Sequence, residues 1–314
     1  MVLRVDVDDR PAFVLKQARK KLRVAMDWQA RLERAWAEAA AMRVLGEILP
    51  VGLVPALLFE DREDFLFAMT FAGTEATTWK SHLMSGRTDA GLARSIGSTL
   101  AMVHTRGAGH PDLRGLLADT SLFDELRIDP YYRTIIRVYP HISNAIETLI
   151  AGMKTAEPEP TLVLGDYSPK NILINNHNII LLDFECAHAG DAAFDLGFCL
   201  SHLLLKLVRS AGDSRYLAMA SSFLGGYQEE CEPRLGAQRL QARMARGLRH
   251  GGACLLARLD GKSPVEYLDE LPIPTVRDFA MAVLLDESGD SLSETLFEKL
   301  AATARMSMHY RHSH

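Results

Sequence analysis

Asp166 and Asn171 stand five positions apart, and Asp183 and Glu185 follow a short distance on. Between the two pairs run Ile172-Leu173-Ile174, a polar Asn175-Asn176-His177-Asn178 stretch and Ile179-Ile180-Leu181-Leu182. Two apolar runs of strand length around a four-residue polar turn predict a β-hairpin over 172–182. Folding that hairpin carries an Asp, an Asn and two further carboxylates to one of its ends. Phosphoryl transfer from a nucleotide needs such a set: one Asp to take the proton of the attacking hydroxyl, and an Asn and a second Asp to hold Mg²⁺ against the phosphates. Turns favour Asp and Asn for conformational reasons alone. It is the combination, with strands on both sides and acids at the far end, that points to chemistry.

The spacing matches known phosphotransfer motifs. Asp166 to Asn171 has the interval of the protein-kinase catalytic loop H-R-D-x-x-x-x-N, and Asp183-Phe184-Glu185 stands where that pattern has D-F-G. Together with Gly165-Asp166-Tyr167-Ser168-Pro169-Lys170-Asn171 and Gly190-Asp191-Ala192-Ala193-Phe194-Asp195-Leu196, it resembles the aminoglycoside phosphotransferase and choline kinase superfamily of kinase-like small-molecule phosphotransferases. The resemblance runs from about Phe13 to Leu285 and is most specific over Leu162 to Lys206. It implies an α+β, bilobal protein-kinase-like fold, with a small β-rich N-terminal lobe holding one long helix and a larger, mostly helical C-terminal lobe. It implies Asp166 as catalytic base, Asn171 and Asp183 as Mg²⁺ ligands with Glu185 near the metal, and Asp195 as a buried brace for the catalytic loop. ATP and Mg²⁺ are the implied cofactors. The family pattern has His-Gly-Asp where this chain has Leu164-Gly165-Asp166. Leucine keeps the packing and loses a hydrogen bond, which lowers the expected rate and leaves the assignment unchanged.

These groups need a scaffold. Val2 to Val7 alternates like a strand, Asp8-Asp9-Arg10-Pro11 forms a turn, and Phe13 to Gln17 reads as a second strand. Trp28 to Leu45 reads as a helix, because Trp28, Leu32, Ala35, Trp36, Ala39 and Met42 recur at helical steps, with Glu38 at the margin of the stripe. Ala56 to Glu60 and Phe65 to Met69 predict a hairpin leading into Thr70-Phe71-Ala72. A strand lysine followed by a helix glutamate is the pattern of an ion pair that orients nucleotide phosphates. Lys16 and Glu38 fit it, with Lys16 set in the apolar run Phe13-Val14-Leu15. The nearby Arg19, Lys20, Lys21 and Arg23 leave a solvated charged face as the alternative. On the kinase reading, Phe65 to Ala72 is the last strand and the inter-lobe hinge, with Met69 and Phe71 beside the adenine; otherwise these two are plain core.

The division expected is a nucleotide-binding lobe over 1–72 and a catalytic and acceptor-binding lobe over 73–314. No glycine precedes Gly46 and no G-x-x-x-x-G-K-[ST] loop occurs. The reading is therefore that the first strand and the phosphate-covering turn are truncated, or that phosphates are covered in another way. A true loss favours the competing class, a pseudokinase-like nucleotide-binding module.

Helical stripes continue downstream over Thr88 to His104, Phe198 to Val208, Leu240 to Leu256 and Val276 to Leu285. Another helix is expected to be capped near Ser263 with Pro264 in its first turn. His104 resembles the family's helix-ending histidine and is equally readable as a core histidine. The tail beyond Thr303, with His309, His312 and His314, is expected to fray.

The acceptor is expected to be a hydroxyl on a small molecule. Only seven residues, Phe184 to Gly190, separate Asp183 from Asp191, too few for the segment that holds a protein substrate. Arg127, Asp129, Tyr131, Arg258 and Asp260 are the acceptor-site candidates. Acids there suit a cationic acceptor such as an aminoglycoside or choline, and the arginines equally suit an acidic or sugar-phosphate one. Otherwise these charges stabilise loops.

Composition sets the limits. At 314 residues with 48% hydrophobic and 24% charged, the chain can bury a full core in two lobes. A net charge of −5 and a pI near 6.1 give no footprint for nucleic acid. No apolar run reaches about 18 residues, and the N-terminus has neither n-region nor h-region, so a cytoplasmic protein away from membranes is expected. Cys186, Cys199, Cys231 and Cys254 show no C-x-x-C pairing and read as reduced thiols.

Overall fold

β1 (Val2–Val7), β2 (Arg10–Gln17), β3 (Leu57–Asp61) and β4 (Leu66–Thr70) form an antiparallel sheet in the order β1-β2-β4-β3. The computed structural model describes residues 1–19, 31–155, 158–176, 178–286 and 294–312. Asp9 adopts a φ of 60° at the β1–β2 turn, a conformation Asp tolerates better than most residues. The register sets Lys16 opposite Phe67 on β4 and Val2 on β1, so the lysine is held on both sides. Helix α1 (Arg34–Ile48) packs against the sheet, burying Ala35, Ala39, Met42, Val44 and Leu45, and Trp36 stacks on Phe65 at 5.2 Å. The helix therefore starts later and ends later than the expected 28–45; Trp28 and residues 20–30 lie outside the described residues.

A short strand β5 (Thr77–Thr78) leads into α2 (Trp79–Met84), where the Thr78 side chain caps by accepting from the Ser81 amide at 3.1 Å. Asp89 caps α3 (Ala90–Arg106) in the same way, accepting from the Leu92 amide at 3.0 Å. Next, α4 (Ser121–Phe123) passes into a π-helical stretch, Asp124–Arg133, and then into α5 (Thr134–Val138). Pro130 lies inside that stretch, and its missing N–H accounts for the departure from α geometry. Such segments recur at functional sites, and this one carries Arg127, Asp129 and Tyr131. Helix α6 (Ser143–Thr155) follows.

β6 (Thr161–Val163) pairs with β9 (His188–Gly190) around the expected hairpin, which forms from β7 (Ile172–Asn175) and β8 (Asn178–Leu181), with β5 as a third strand. His177, in its turn, lies outside the described residues. α7 (Ala193–Arg209), α8 (Ser214–Leu235), α9 (Ala237–Asp260), α10 (Ile273–Leu285) and α11 (Glu294–His312) complete the helical body. Two crossings need glycine for close approach. A Cβ on Gly97 of α3 would strike the Phe223 carbonyl of α8, and one on Gly197 of α7 would strike the Gly247 carbonyl of α9.

Two expectations fail. No α-helix starts at Ser263; the chain bends there, and a 3-10 turn at Leu268–Glu270 precedes α10. The reason is that the Ser263 hydroxyl and carbonyl both accept from Arg258 Nη1, at 2.9 and 2.6 Å, so the side chain is not free to cap. The tail does not fray at Thr303, because α11 buries Phe297, Leu300, Ala301 and Ala304 and continues to His312. The side chains of His309, His312 and His314 lie outside what is described. All four cysteines are buried free thiols. No helix among the described residues is long and apolar enough to cross a membrane.

Candidate active site

β6 delivers Leu164, Gly165 and Asp166 to the mouth of a cleft, and one buried carboxylate fixes the delivery. Asp195, in the first turn of α7 and fully buried, accepts from the Leu164 amide at 2.6 Å and the Gly165 amide at 2.8 Å. Its Oδ2 also lies 3.3 Å from His104 Nε2, while His104 Nδ1 lies 2.9 Å from the Tyr227 hydroxyl. Burial, against the pull of Asp195, lowers the proton affinity of His104. A neutral ring that donates from Nε2 to Asp195 accepts at Nδ1 from Tyr227. Gly165 has a φ of 72°, and a Cβ there would sit 2.7 Å from Cys186. Both facts require glycine just before Asp166. Leu164 is buried and meets the brace through its backbone alone.

Asp166 is 5% exposed, and its Oδ2 receives two cations, Arg127 Nη2 at 2.9 Å and Lys170 Nζ at 2.8 Å. Arg127 also donates from Nε to the Gly165 carbonyl at 2.7 Å, which ties the π-helical stretch to the loop. The Asp166 charge raises the pKa of Lys170. Asn171 donates from Nδ2 to the Asp166 carbonyl at 3.1 Å, so its side-chain oxygen is not used in that bond.

Asp183 follows β8 with a φ of 66°, a left-handed conformation that for a residue other than glycine clusters at functional sites. Lys16 Nζ bridges Glu38 at 2.7 Å and Asp183 at 2.6 Å. Burial works against ionisation of Asp183, but the Lys16 charge, followed by that of Lys170, outweighs it and pushes the carboxyl down to about 2. Glu38 is 2% exposed, and burial, opposed by Lys16, pushes it up to about 7. Glu185 pairs with Arg34 at 3.0 Å, and burial, followed by the Asp183 charge, raises its pKa.

No three His, Cys, Asp or Glu side chains among the described residues gather into a metal cage. The donor set still fits Mg²⁺: an ionised Asp183 and the Asn171 amide oxygen are hard oxygen ligands, and Mg²⁺ normally takes its other ligands from phosphates and water. Met69 sits in β4 opposite Val14 and Leu57, half-buried. Phe71 follows that strand with the Arg4 guanidinium 4.7 Å from its ring centroid.

Asp166, Asp183 and Glu185 open onto one cavity of about 420 Å³. Of the acceptor candidates, Arg127, Tyr131 and Arg258 line it. Asp129 and Asp260 stand outside. Asp129 is held by Lys262 and Arg137, both at 3.0 Å. Asp260 is held by Arg277 at 2.8 Å and the Tyr139 hydroxyl at 2.6 Å. Both are ties between loops and helices, the alternative left open by the sequence. The cavity wall also contains Lys80, Lys170, His202, Lys206, Glu266 and Tyr267, none singled out from the sequence. One signal was available: Phe198, His202 and Lys206 recur every four residues, a stripe on one face of α7.

A lysine-bearing strand and glutamate-bearing helix, set over a helical body whose hairpin gathers Asp166, Asn171 and Asp183 at one end, make up the α+β protein-kinase-like fold. The chain belongs to the phosphotransferase enzyme family, whose model matches residues 1–233. It is similar to a methylthioribose kinase of Bacillus velezensis, with 23% identity over 307 residues, covering 85% of this chain and 76% of that protein. Among solved structures, the amicoumacin kinase hAmiN in complex with AMP-PNP, Ca2+ and Ami superimposes with a TM-score of 0.54 at 12% identity, over 96% of this chain and 85% of that one. A glucosamine kinase superimposes with a TM-score of 0.51 at 19% identity, over 87% and 74% of the two chains.

Proposed function

We propose that this protein is an ATP-dependent kinase that moves the γ-phosphoryl group to a hydroxyl on a small molecule. The observation that carries the reading is the opening of Asp166 and Asp183 onto one cavity, with Lys16 bonded to Asp183 and Glu38 behind it. The Asp166 carboxylate accepts the hydroxyl proton as the acceptor oxygen bonds to the γ-phosphorus and the bond to the β–γ bridging oxygen breaks, releasing ADP. Arg127 and Lys170 orient the base through Oδ2. Lys16, positioned by Glu38, contacts the nucleotide phosphates, and Met69 and Phe71 flank the adenine at the hinge. Asn171 and Asp183 would hold Mg²⁺, with Glu185 close by, and a bound ion would supply neutralisation of phosphate charge. Asp195 is the brace, and the division between nucleotide-binding and acceptor-binding lobes follows β4 at residues 72–73.

The family relationship and the methylthioribose kinase, glucosamine kinase and amicoumacin kinase similarities support a small-molecule acceptor. The direct test is thermal unfolding with ATP and Mg²⁺. ATP with Mg²⁺ is expected to raise the melting temperature, and Asp183→Ala to abolish most of that rise. An undiminished rise in the variant places the nucleotide elsewhere and defeats the assignment. A wild-type protein that binds ATP and phosphorylates nothing in a broad panel of small hydroxyl compounds is a nucleotide-binding module.

A further inference from the structure

The charges facing the cavity do not balance at its acceptor end. Arg127 and Lys170 are both committed to Asp166. Lys80 is ion-paired with Glu266 at the rim, and the carboxylates of Asp183 and Glu185 belong to Lys16 and Arg34. Lys206 and Arg258 remain, and among the described residues no carboxylate pairs with either. Lys206 is 3% exposed, and among the described residues its ammonium meets the His202 carbonyl at 3.2 Å, the Tyr267 hydroxyl at 3.5 Å and the Tyr267 ring, 5.7 Å to its centroid. Arg258 spends Nη1 on Ser263 and, at 3.5 Å, on the Tyr131 hydroxyl, and its Nε is buried with no partner. A buried charge without a counter-ion is among the costliest features a fold can keep. Lys206 is buried and Arg258 half-buried, and two cations without a paired acid lining one cavity point to a counter-ion that arrives with a ligand.

We propose that the acceptor carries an anionic group, a carboxylate or a phosphate, which seats against Lys206 and Arg258 while its hydroxyl meets Asp166. This rests on the kinase reading above. Phe198, His202 and Lys206 lie on one stripe of α7, and Phe198 is at the catalytic end, with the Arg127 guanidinium 5.5 Å from its ring centroid. The Lys206 ammonium reaches back to the His202 carbonyl, one helical turn from Phe198. At a rise of 1.5 Å per residue that turn is roughly 6 Å, so hydroxyl and acid are on the order of 6–10 Å apart. A cavity of about 420 Å³, part of which faces the phosphates, suits a small metabolite and lies toward the lower end of ligand-pocket volumes. A cationic acceptor finds one acid here outside the catalytic set, Glu266, and Lys80 already holds it. Burial, reinforced by Lys80, draws Lys206 down to about 7, the response expected of an ammonium awaiting its counter-ion.

The test compares matched hydroxyl compounds differing in the acid group: ribose with ribose 5-phosphate and glucose with gluconate, with choline as the cationic control. Thermal stabilisation of the full chain and ADP release in ATP and Mg²⁺ are both read. The acidic member of at least one pair is expected to stabilise wild type more than its neutral partner and choline. Lys206→Met and Arg258→Gln are expected to remove that difference, and Lys206→Arg to retain most of it. Where the acidic compound is phosphorylated, the two neutralising variants should raise its KM at least tenfold and shift the ATP-dependent melting rise little. The charge inference is overturned if no acidic probe stabilises more than its neutral partner, if choline or a neutral compound is preferred, or if Lys206→Met leaves the difference intact. Failure of the kinase reading has its own readout, an ATP-dependent rise indifferent to Asp183→Ala.

Discussion

The two ends of the cleft treat charge in opposite ways. On the side proposed for the nucleotide, Lys16 pairs with Glu38 and Asp183, and Arg34 with Glu185. On the side proposed for the acceptor, no carboxylate among the described residues pairs with Lys206 or Arg258, and the one acid near them, Glu266, is held by Lys80. A preformed, internally paired site presents the same chemistry whatever occupies the other end, which suits a cosubstrate that does not change. On the proposed reading the unpaired site is completed by its ligand and specificity resides there, because a ligand without the matching charge leaves the cations uncompensated.

Breaking the catalytic end should give the largest effect. Asp166→Asn keeps the shape of the side chain and an acceptor for Arg127 but removes the group proposed to accept the proton. Loss of a general base costs roughly 10²–10⁴-fold in rate, so phosphoryl transfer should fall by that order while the ATP-dependent melting rise survives. Comparable loss of ATP affinity would make Asp166 a structural or metal-binding residue. Next in size is the brace. Asp195→Ala leaves the Leu164 and Gly165 amides and His104 without their shared acceptor in a dry core. Unsatisfied buried donors cost about 1–3 kcal/mol each, so denaturant unfolding should show a loss of about 3–5 kcal/mol. A loss below about 1 kcal/mol would mean that the loop holds itself.

The meeting of residues at the proposed nucleotide end was legible in the sequence, and that at the proposed acceptor end much less so. Asp166, Asn171, Asp183 and Glu185 are close in sequence and separated by one hairpin, so local spacing alone predicts their meeting. Lys16 and Glu38 needed only a strand and the helix after it. The acceptor cavity draws Lys80 from α2, Arg127 and Tyr131 from the π-helical stretch, His202 and Lys206 from α7, and Arg258, Glu266 and Tyr267 from α9 and the bend after it. No periodicity links these segments. Whether a charge such as Asp129 faces the cavity or ties a loop to Lys262 depends on helix rotation, which the irregular turn around Pro130 makes unreadable. The helix expected after Ser263 shows the same limit, because its capping hydroxyl is drawn away by Arg258, one turn back on α9. The burial of α11 required a groove that exists only once the helical body has assembled.

The smallest effect sharpens the comparison most. Lys206 is faced by Cys199 and His202 of its own helix, Lys80 from α2, Arg258 from α9, and Glu266 and Tyr267 from the bend beyond, and burial followed by Lys80 lowers its pKa from 10.5 to about 7. A lysine depressed in the folded state binds fewer protons there than in the unfolded chain between those two values. Stability from this group therefore rises with pH from about 7 to 10.5 and is lost as pH falls through 7. Lys206→Met removes the dependence, since a thioether fills similar space without a charge. The variant should be more stable than wild type by roughly 1–2 kcal/mol near pH 6, on the scale of burying an uncompensated polar group. That advantage should shrink toward pH 10. Paired melting curves across the range measure it, with the acceptor absent so that no anion supplies the missing charge. If the variant is instead less stable at pH 6, Lys206 already has a counter-charge within the fold, and the two ends of the cleft are alike.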